Sequence, residues 1–239
     1  MKPISVQWTE GVSFPEARVV LEGIARAIEA AVVTAANAGI GLGRAEIRPF
    51  GTWHIPGIQE GSPYWSTLWY VSQSLDESSG TLIGPKFIET IRREPWQQVG
   101  PHYDVAIVHY DLRDQPEGMV SEGGSSFALS STARNLAAVI SVNRLRHIGD
   151  DTLFRRALRR LTVHSFGHIL EAPREGRTRA AEFSFGAQHC TNPCVMRHPR
   201  SVAELIELAR GEREAGTMFC EDCAADILEH TIRNHFSRN

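Results

Sequence analysis

The sequence predicts an α/β protein layered around a mixed sheet, and three observations predict it. Apolar runs of strand length alternate with segments of helical period. Two of the runs, residues 103–112 (YDVAIVHYDL) and 136–145 (LAAVISVNRL), read as core strands. A helix-period segment at residues 151–170 follows the second run closely. The chain has 239 residues, 42% apolar and 22% charged, enough for one good core or two small ones. The expected organisation is a single domain over 1–239, with an N-terminal α/β part (1–170) and a C-terminal part (171–239).

Each element has its own signal. Residues 15–36 place Val19, Val20, Ile24, Ala27, Ile28 and Ala31 on one helical face, and Gly39, Gly41 and Gly43 end the segment. Residues 45–50 read as a strand, and residues 64–74 and 85–93 read as helices. Strands at 105–110 and 136–142 flank a Gly/Ser-rich loop or edge strand at 118–131. The segment from residue 151 opens on the acidic pair Asp150 and Asp151, and Leu153, Phe154, Ala157, Leu158, Leu161 and Val163 form its apolar face. Arg155, Arg156, Arg159 and Arg160 are expected on its solvated stripe. A last helix covers residues 224–235. Trp53, Trp65, Trp69 and Trp96 are expected in the core, with one or two of them lining a cleft.

The chemistry concentrates near the C-terminus: His164-Ser165-Phe166-Gly167-His168, then His189-Cys190, Cys194-Val195-Met196, and Cys220-Glu221-Asp222-Cys223. On a helix, His164 and His168 project from one side, where two neutral imidazoles can bind one Zn²⁺. All four cysteines fall between positions 190 and 223. The N-terminal residues lack a charged region followed by an apolar one, and no apolar stretch reaches bilayer-spanning length, so a soluble cytoplasmic protein is expected. In a reducing compartment these cysteines read as thiolate ligands, and four thiolates make a closed, structural zinc site. Two zinc ions per chain are therefore expected: one on Cys190, Cys194, Cys220 and Cys223, the other at a site begun by His164 and His168.

In their order these residues resemble the archaemetzincins, a branch of the metzincin zinc peptidases. The signature of that family runs H-E-x-x-H-x-x-G-x-x-H, a cysteine, a second cysteine with the Met-turn methionine two residues on, and C-x-x-C. The resemblance covers roughly the C-terminal 60% of the chain. It implies a metzincin-like mixed sheet with an active-site helix, Met196 as the Met-turn residue, His189 as third histidine, and a substrate-aligning edge strand at 122–130.

The departures bear on function. Ser165 stands where the family has its general-base glutamate, Glu171 where it has the glycine that ends the helix, and Arg174 where it has the third histidine. Residues 172–188 separate the helix from His189, so His168 and His189 lie 21 positions apart instead of six. Three residues stand between Cys190 and Cys194 where the family has four, and the run from Met196 to Cys220 is longer. Glu171, continued on the helix, would share the face of His164 and His168 and is the alternative third ligand. General acid–base catalysis is worth about 10²–10⁴ in rate, and a serine cannot replace the glutamate, so weak or absent peptidase activity is expected. Two other readings stand beside that one: a zinc enzyme retuned to another reaction with Glu171 or Glu182 as base, and a module that binds peptides without catalysis. Partners are then a peptide or protein substrate or ligand. A net charge of −3 gives no reason to expect nucleic-acid or membrane binding. His102, His109, His147, His198, His230 and His235 read as surface or core, and Asp104 and Asp111 as caps or turn formers.

Overall fold

Alternation along the strands decides the layering. On the strand of residues 103–108, Tyr103, Val105 and Ile107 face one core while Ala106 and Val108 face another; on that of residues 137–141, Ala138 and Ile140 oppose Ala137 and Val139 in the same way. A strand with apolar residues on both faces must be covered on both, and helices cover this sheet on either side. The computed structural model describes residues 1–114, 119–120, 126–215 and 218–236.

The elements run β1 (Ile4–Trp8), α1 (Phe14–Asn37), β2 (Ile47–Gly51), α2 (Thr67–Ser74), β3 (Leu75–Asp76), β4 (Thr81–Ile83), α3 (Gly84–Arg92), α4 (Pro95–Val99), β5 (Tyr103–Val108) and β6 (Leu112–Arg113). Next come β7 (Met119–Val120), β8 (Ser126–Phe127), β9 (Ser130–Ala133), β10 (Ala137–Ser141), α5 (Asp151–Ile169), β11 (Ala181–Ser184), β12 (Ala187–Cys190), α6 (Val202–Ala215) and α7 (Glu221–Phe236). The main sheet is ordered β2-β1-β5-β10-β9, parallel except for β9, which runs antiparallel to β10 at the edge. The mixed α/β architecture is the one the sequence predicts.

Helices α1 and α5 pack together on one side, with α6 against α5 and α7 against α1. Their crossing is close because Gly23 lets α1 approach Thr162: a Cβ there would lie 2.9 Å from the threonine side chain. α1 starts at a capping box in which Ser13 and Glu16 satisfy each other's backbone, and Asp150 caps α5 through the amide of Leu153 at 3.0 Å.

Several expectations are corrected. β1 is an interior strand, between β2 and β5, although its alternating Ile4, Val6 and Trp8 were read only as part of a non-signal N-terminus. α2 begins later than predicted because Tyr64 is at φ 60, outside helical space, and Ser66 is the cap. α6 and the β11–β12 hairpin were not predicted. The expected edge strand at 122–130 lies partly outside the described residues, and within them the edge is β9. Arg160 is buried, not solvated. It turns inward and donates to the carbonyls of Cys194, Val195 and Arg197 at 3.2, 3.2 and 3.0 Å, and burial lowers its pKa to about 10. A buried cation is tolerated there because carbonyl oxygens take the place of water. Among the described residues no helix is long and apolar enough to cross a membrane.

Candidate metal centres

The thiol cluster forms where β12, the turn after it and the start of α7 meet. All four cysteines are free, so no disulfide competes. Cys190 Sγ lies 3.6 Å from Cys220 Sγ, and Cys194 Sγ lies 3.8 Å from Cys223 Sγ. Four sulfurs placed tetrahedrally about zinc at 2.3 Å would be about 3.8 Å apart, so the spacing fits a bound ion and is far from a sulfur–sulfur bond. Donors point at the sulfurs from outside: the Met196 amide to Cys194 at 3.4 Å, Asn192 Nδ2 to Cys220 at 3.4 Å, and Arg177 to Cys223 at 3.5 Å. Arg177 is itself held by Asp226 at 2.6 Å. Such donors favour thiolate over thiol. Hydrogen bonding from Cys190 and Cys223 holds the Cys194 thiol below its ordinary value.

The imidazole cluster sits one layer away. His164 and His168 share a face of α5 as predicted, their Nε2 atoms 3.2 Å apart. His164 Nδ1 donates to the Val195 carbonyl at 2.9 Å, which leaves its Nε2 lone pair toward the cluster. His189 stacks on His164 with ring centroids 5.5 Å apart and meets His168 edge-on at 5.0 Å. The segment 172–188 does not prevent this because much of it forms a hairpin. β11 and β12 pair in the register Ala181↔Cys190 and Glu182↔His189, joined by Phe185 and Gly186, both at positive φ. Such a two-residue loop matches the twist of the flanking strands and hands His189 back to α5.

Beneath the histidines, Met196 is fully buried against Gly167, where any Cβ would collide with the methionine sulfur. This packing fixes the turn carrying Val195 relative to the helix carrying His164. The structure also adds a residue that the sequence reading set aside. His198 brings one ring nitrogen within 4.8 Å of nitrogens of His164 and His189, and both of its nitrogens are buried without a hydrogen bond. Its position two residues after Met196 was the available signal. Burial holds His189 down at about 3 and His198 at about 4, and it lowers His164 and His168 as well, so all four imidazoles are neutral at pH 7, as ligands must be. Four neutral rings, a 3.2 Å nitrogen spacing close to the ~3.3 Å expected of ligands on a tetrahedral zinc, and two orphaned nitrogens suit a metal ion.

The cavity above these rings is about 60 Å³, bounded by β9, Phe185 and Asp114. Ser165, fully buried with its hydroxyl unpaired, does not line it. Neither does Glu182, which is exposed on β11. Glu171 does not share the helix face expected of it, because α5 ends at Ile169 and Glu171 adopts φ 62. Its carboxylate goes instead to Arg233 at 2.5 Å and to His230 at 3.3 Å, both on α7.

Comparison with known proteins gives the same architecture. No family model matches the chain. Over 90 residues, 38% of its length, it is 33% identical to the archaemetzincin of Archaeoglobus fulgidus, and this match spans 42% of that relative. The crystal structure of archaemetzincin from Methanopyrus kandleri superposes with a TM-score of 0.58 over 98% of this chain and 96% of that one, at 16% identity. The chain thus has the archaemetzincin fold, and it is archaemetzincin-like in sequence over a shorter stretch.

Proposed function

We propose that this chain is an archaemetzincin-like zinc protein whose peptidase activity is weak or lost and which binds a peptide or protein segment. One ion is held by Cys190, Cys194, Cys220 and Cys223, the other by His164, His168 and His189. The observation that carries the reading is the neutral imidazole cluster under a small cavity that neither Ser165 nor Glu171 lines. Zinc there would supply a Lewis acid and an acidified water. The chain's own residues are poorly placed to exploit it. A serine hydroxyl outside the cavity cannot carry a proton from water to a leaving amine. His198, with two unpartnered nitrogens and one of them within 4.8 Å of His164 and His189, would compete with water for the ion, and a site closed by protein ligands is the structural kind. Among the described residues the outer edge of β9 pairs with no further strand and could take an extended peptide, and exposed Phe183 and Phe185 on the hairpin offer an apolar rim. Free thiols of this number suit a reducing compartment such as the cytoplasm.

The test is a pair of measurements on the full chain. His164→Ala and Cys220→Ser should each lower bound zinc by one equivalent, and the unaltered chain should show no turnover across a peptide library. Ser165→Glu should gain less than the 10²-fold or so at the low end of base catalysis. A second reading, a zinc enzyme retuned to other chemistry, draws on Asp114, the acidic residue among the cavity's lining, hydrogen-bonded by Ser131 and with its pKa raised by burial. Turnover that disappears in Asp114→Asn would select it.

A further inference from the structure

A third buried cluster of ligand-type side chains lies on the opposite face of the sheet and shares no lining residue with the histidine cavity. Glu94 caps the short helix α4, His102 immediately precedes β5, and Asp104 is on β5 facing the same way. They are 1%, 8% and 3% exposed. His102 Nε2 stands 3.2 Å from Asp104 Oδ2 and 3.9 Å from Glu94 Oε2. Each side chain is oriented by a neighbour. His102 Nδ1 donates to the Gly100 carbonyl at 2.8 Å, Gln97 Nε2 donates to Asp104 at 2.6 Å, and the Tyr70 hydroxyl donates to Glu94 Oε1 at 2.6 Å. Because Nδ1 holds the proton in that bond, the Nε2 lone pair of a neutral His102 faces two carboxylates. Three acceptors would then converge, and Glu94 Oε2 is buried with no partner at good hydrogen-bond geometry. A buried acceptor left in this way is costly.

Beside the cluster is a cavity of about 480 Å³ walled by Trp53, Trp96 and Phe50, with Ser5 and Gln7 of β1 on its floor. We propose that Glu94 Oε2, His102 Nε2 and Asp104 Oδ2 bind a divalent transition-metal ion whose remaining coordination positions open into this cavity. Oxygen and nitrogen ligands on a tetrahedral ion at 2.0–2.2 Å lie about 3.3–3.6 Å apart, and the separations of 3.2 and 3.9 Å bracket that range. Two carboxylates neutralise a divalent charge, and one imidazole favours zinc-like ions over magnesium or calcium. The hydrogen bonds from Tyr70, Gln97 and to Gly100 are the outer contacts that fix the orientation of such ligands. The three protein ligands and the open side match the arrangement of metal sites that accept an exogenous molecule.

Crystals of the full chain grown with stoichiometric zinc, with data collected on both sides of the zinc absorption edge, test this directly. The expected result is an anomalous peak between those three atoms, separate from any peak at the sulfurs or at the imidazoles of α5. Glu94→Gln keeps the shape and should weaken zinc at this site alone by about 10- to 100-fold. An empty cluster at saturating zinc would overturn the proposal and leave a proton-sharing network; so would a peak that Glu94→Gln leaves at full strength. The anomalous map of the unaltered chain decides the question even if the variant does not fold, and it reads each site independently of the others.

Discussion

His189 and Cys190 are neighbours on one strand, yet they belong to two clusters with opposite surroundings. Around the sulfurs the chain points donors inward: the Met196 amide, Asn192 and a buried Arg177. Around the imidazoles it removes water and supplies little else, so that His164, His168, His189 and His198 stay neutral. The first arrangement stabilises anions and closes a tetrahedron. The second keeps lone pairs available but leaves nitrogens unsatisfied until something binds. The difference shows how a strand with period two can serve two clusters of different character at once, because adjacent side chains leave it on opposite faces.

The sharpest way to break the contrast is through the sulfurs. Cys194→Ser should release the ion there and lower unfolding free energy by about 4 kcal/mol or more, read by denaturant melts together with zinc content. Arg160→Met comes next. It removes a charged donor from three carbonyls of the turn around Met196 and should cost about 3 kcal/mol, with zinc lost from the histidines before the cysteines. Retention of both ions at full stability would show that the arginine is incidental. Gly167→Ala should cost about 1–3 kcal/mol by driving Met196 off the helix, checked by the melting temperature.

Acid should separate the two regions as well. In the metal-free protein His189 and His198 bind protons more weakly folded than unfolded. Stability should therefore fall as the pH drops below the unfolded value of 6.5, and continue falling until the folded values of about 3 and about 4 are passed. Replacing both residues by Gln should flatten that part of the profile. The smallest effect belongs to Glu171→Gln, which should change stability by no more than about 1 kcal/mol and leave zinc content untouched, because its ion pair with half-exposed Arg233 is well solvated. Loss of an equivalent of zinc there would restore it as a ligand.

Much of this was legible in the sequence because its signals are local. The periodicity of α5 put His164 and His168 on one face, and the cysteine spacing grouped the four thiols. What stayed hidden depends on backbone turns or on distant partners. Helical spacing ceased to apply to Glu171 one residue after the cap, where φ becomes positive. Arg160 was assigned to water by its charge alone, and only the folded turn supplies the carbonyls that receive it. His198 carries no helical or C-x-x-C spacing to its partners, and Glu94, His102 and Asp104 meet only because α4 folds back over the start of β5.

The hairpin of β11 and β12 imposes a rule of parity on the segment before His189. Each strand shows alternate residues to alternate faces, so one residue added to β12 ahead of His189 would turn the ring away from α5 and bring its neighbour round in its place. Two residues, one added to each strand, would lengthen the hairpin and restore the facing. Variation in this stretch is thus quantised: related chains can lengthen the ribbon in matched pairs and still deliver an imidazole to the same spot, while odd changes must be absorbed by a bulge or lose the ring altogether.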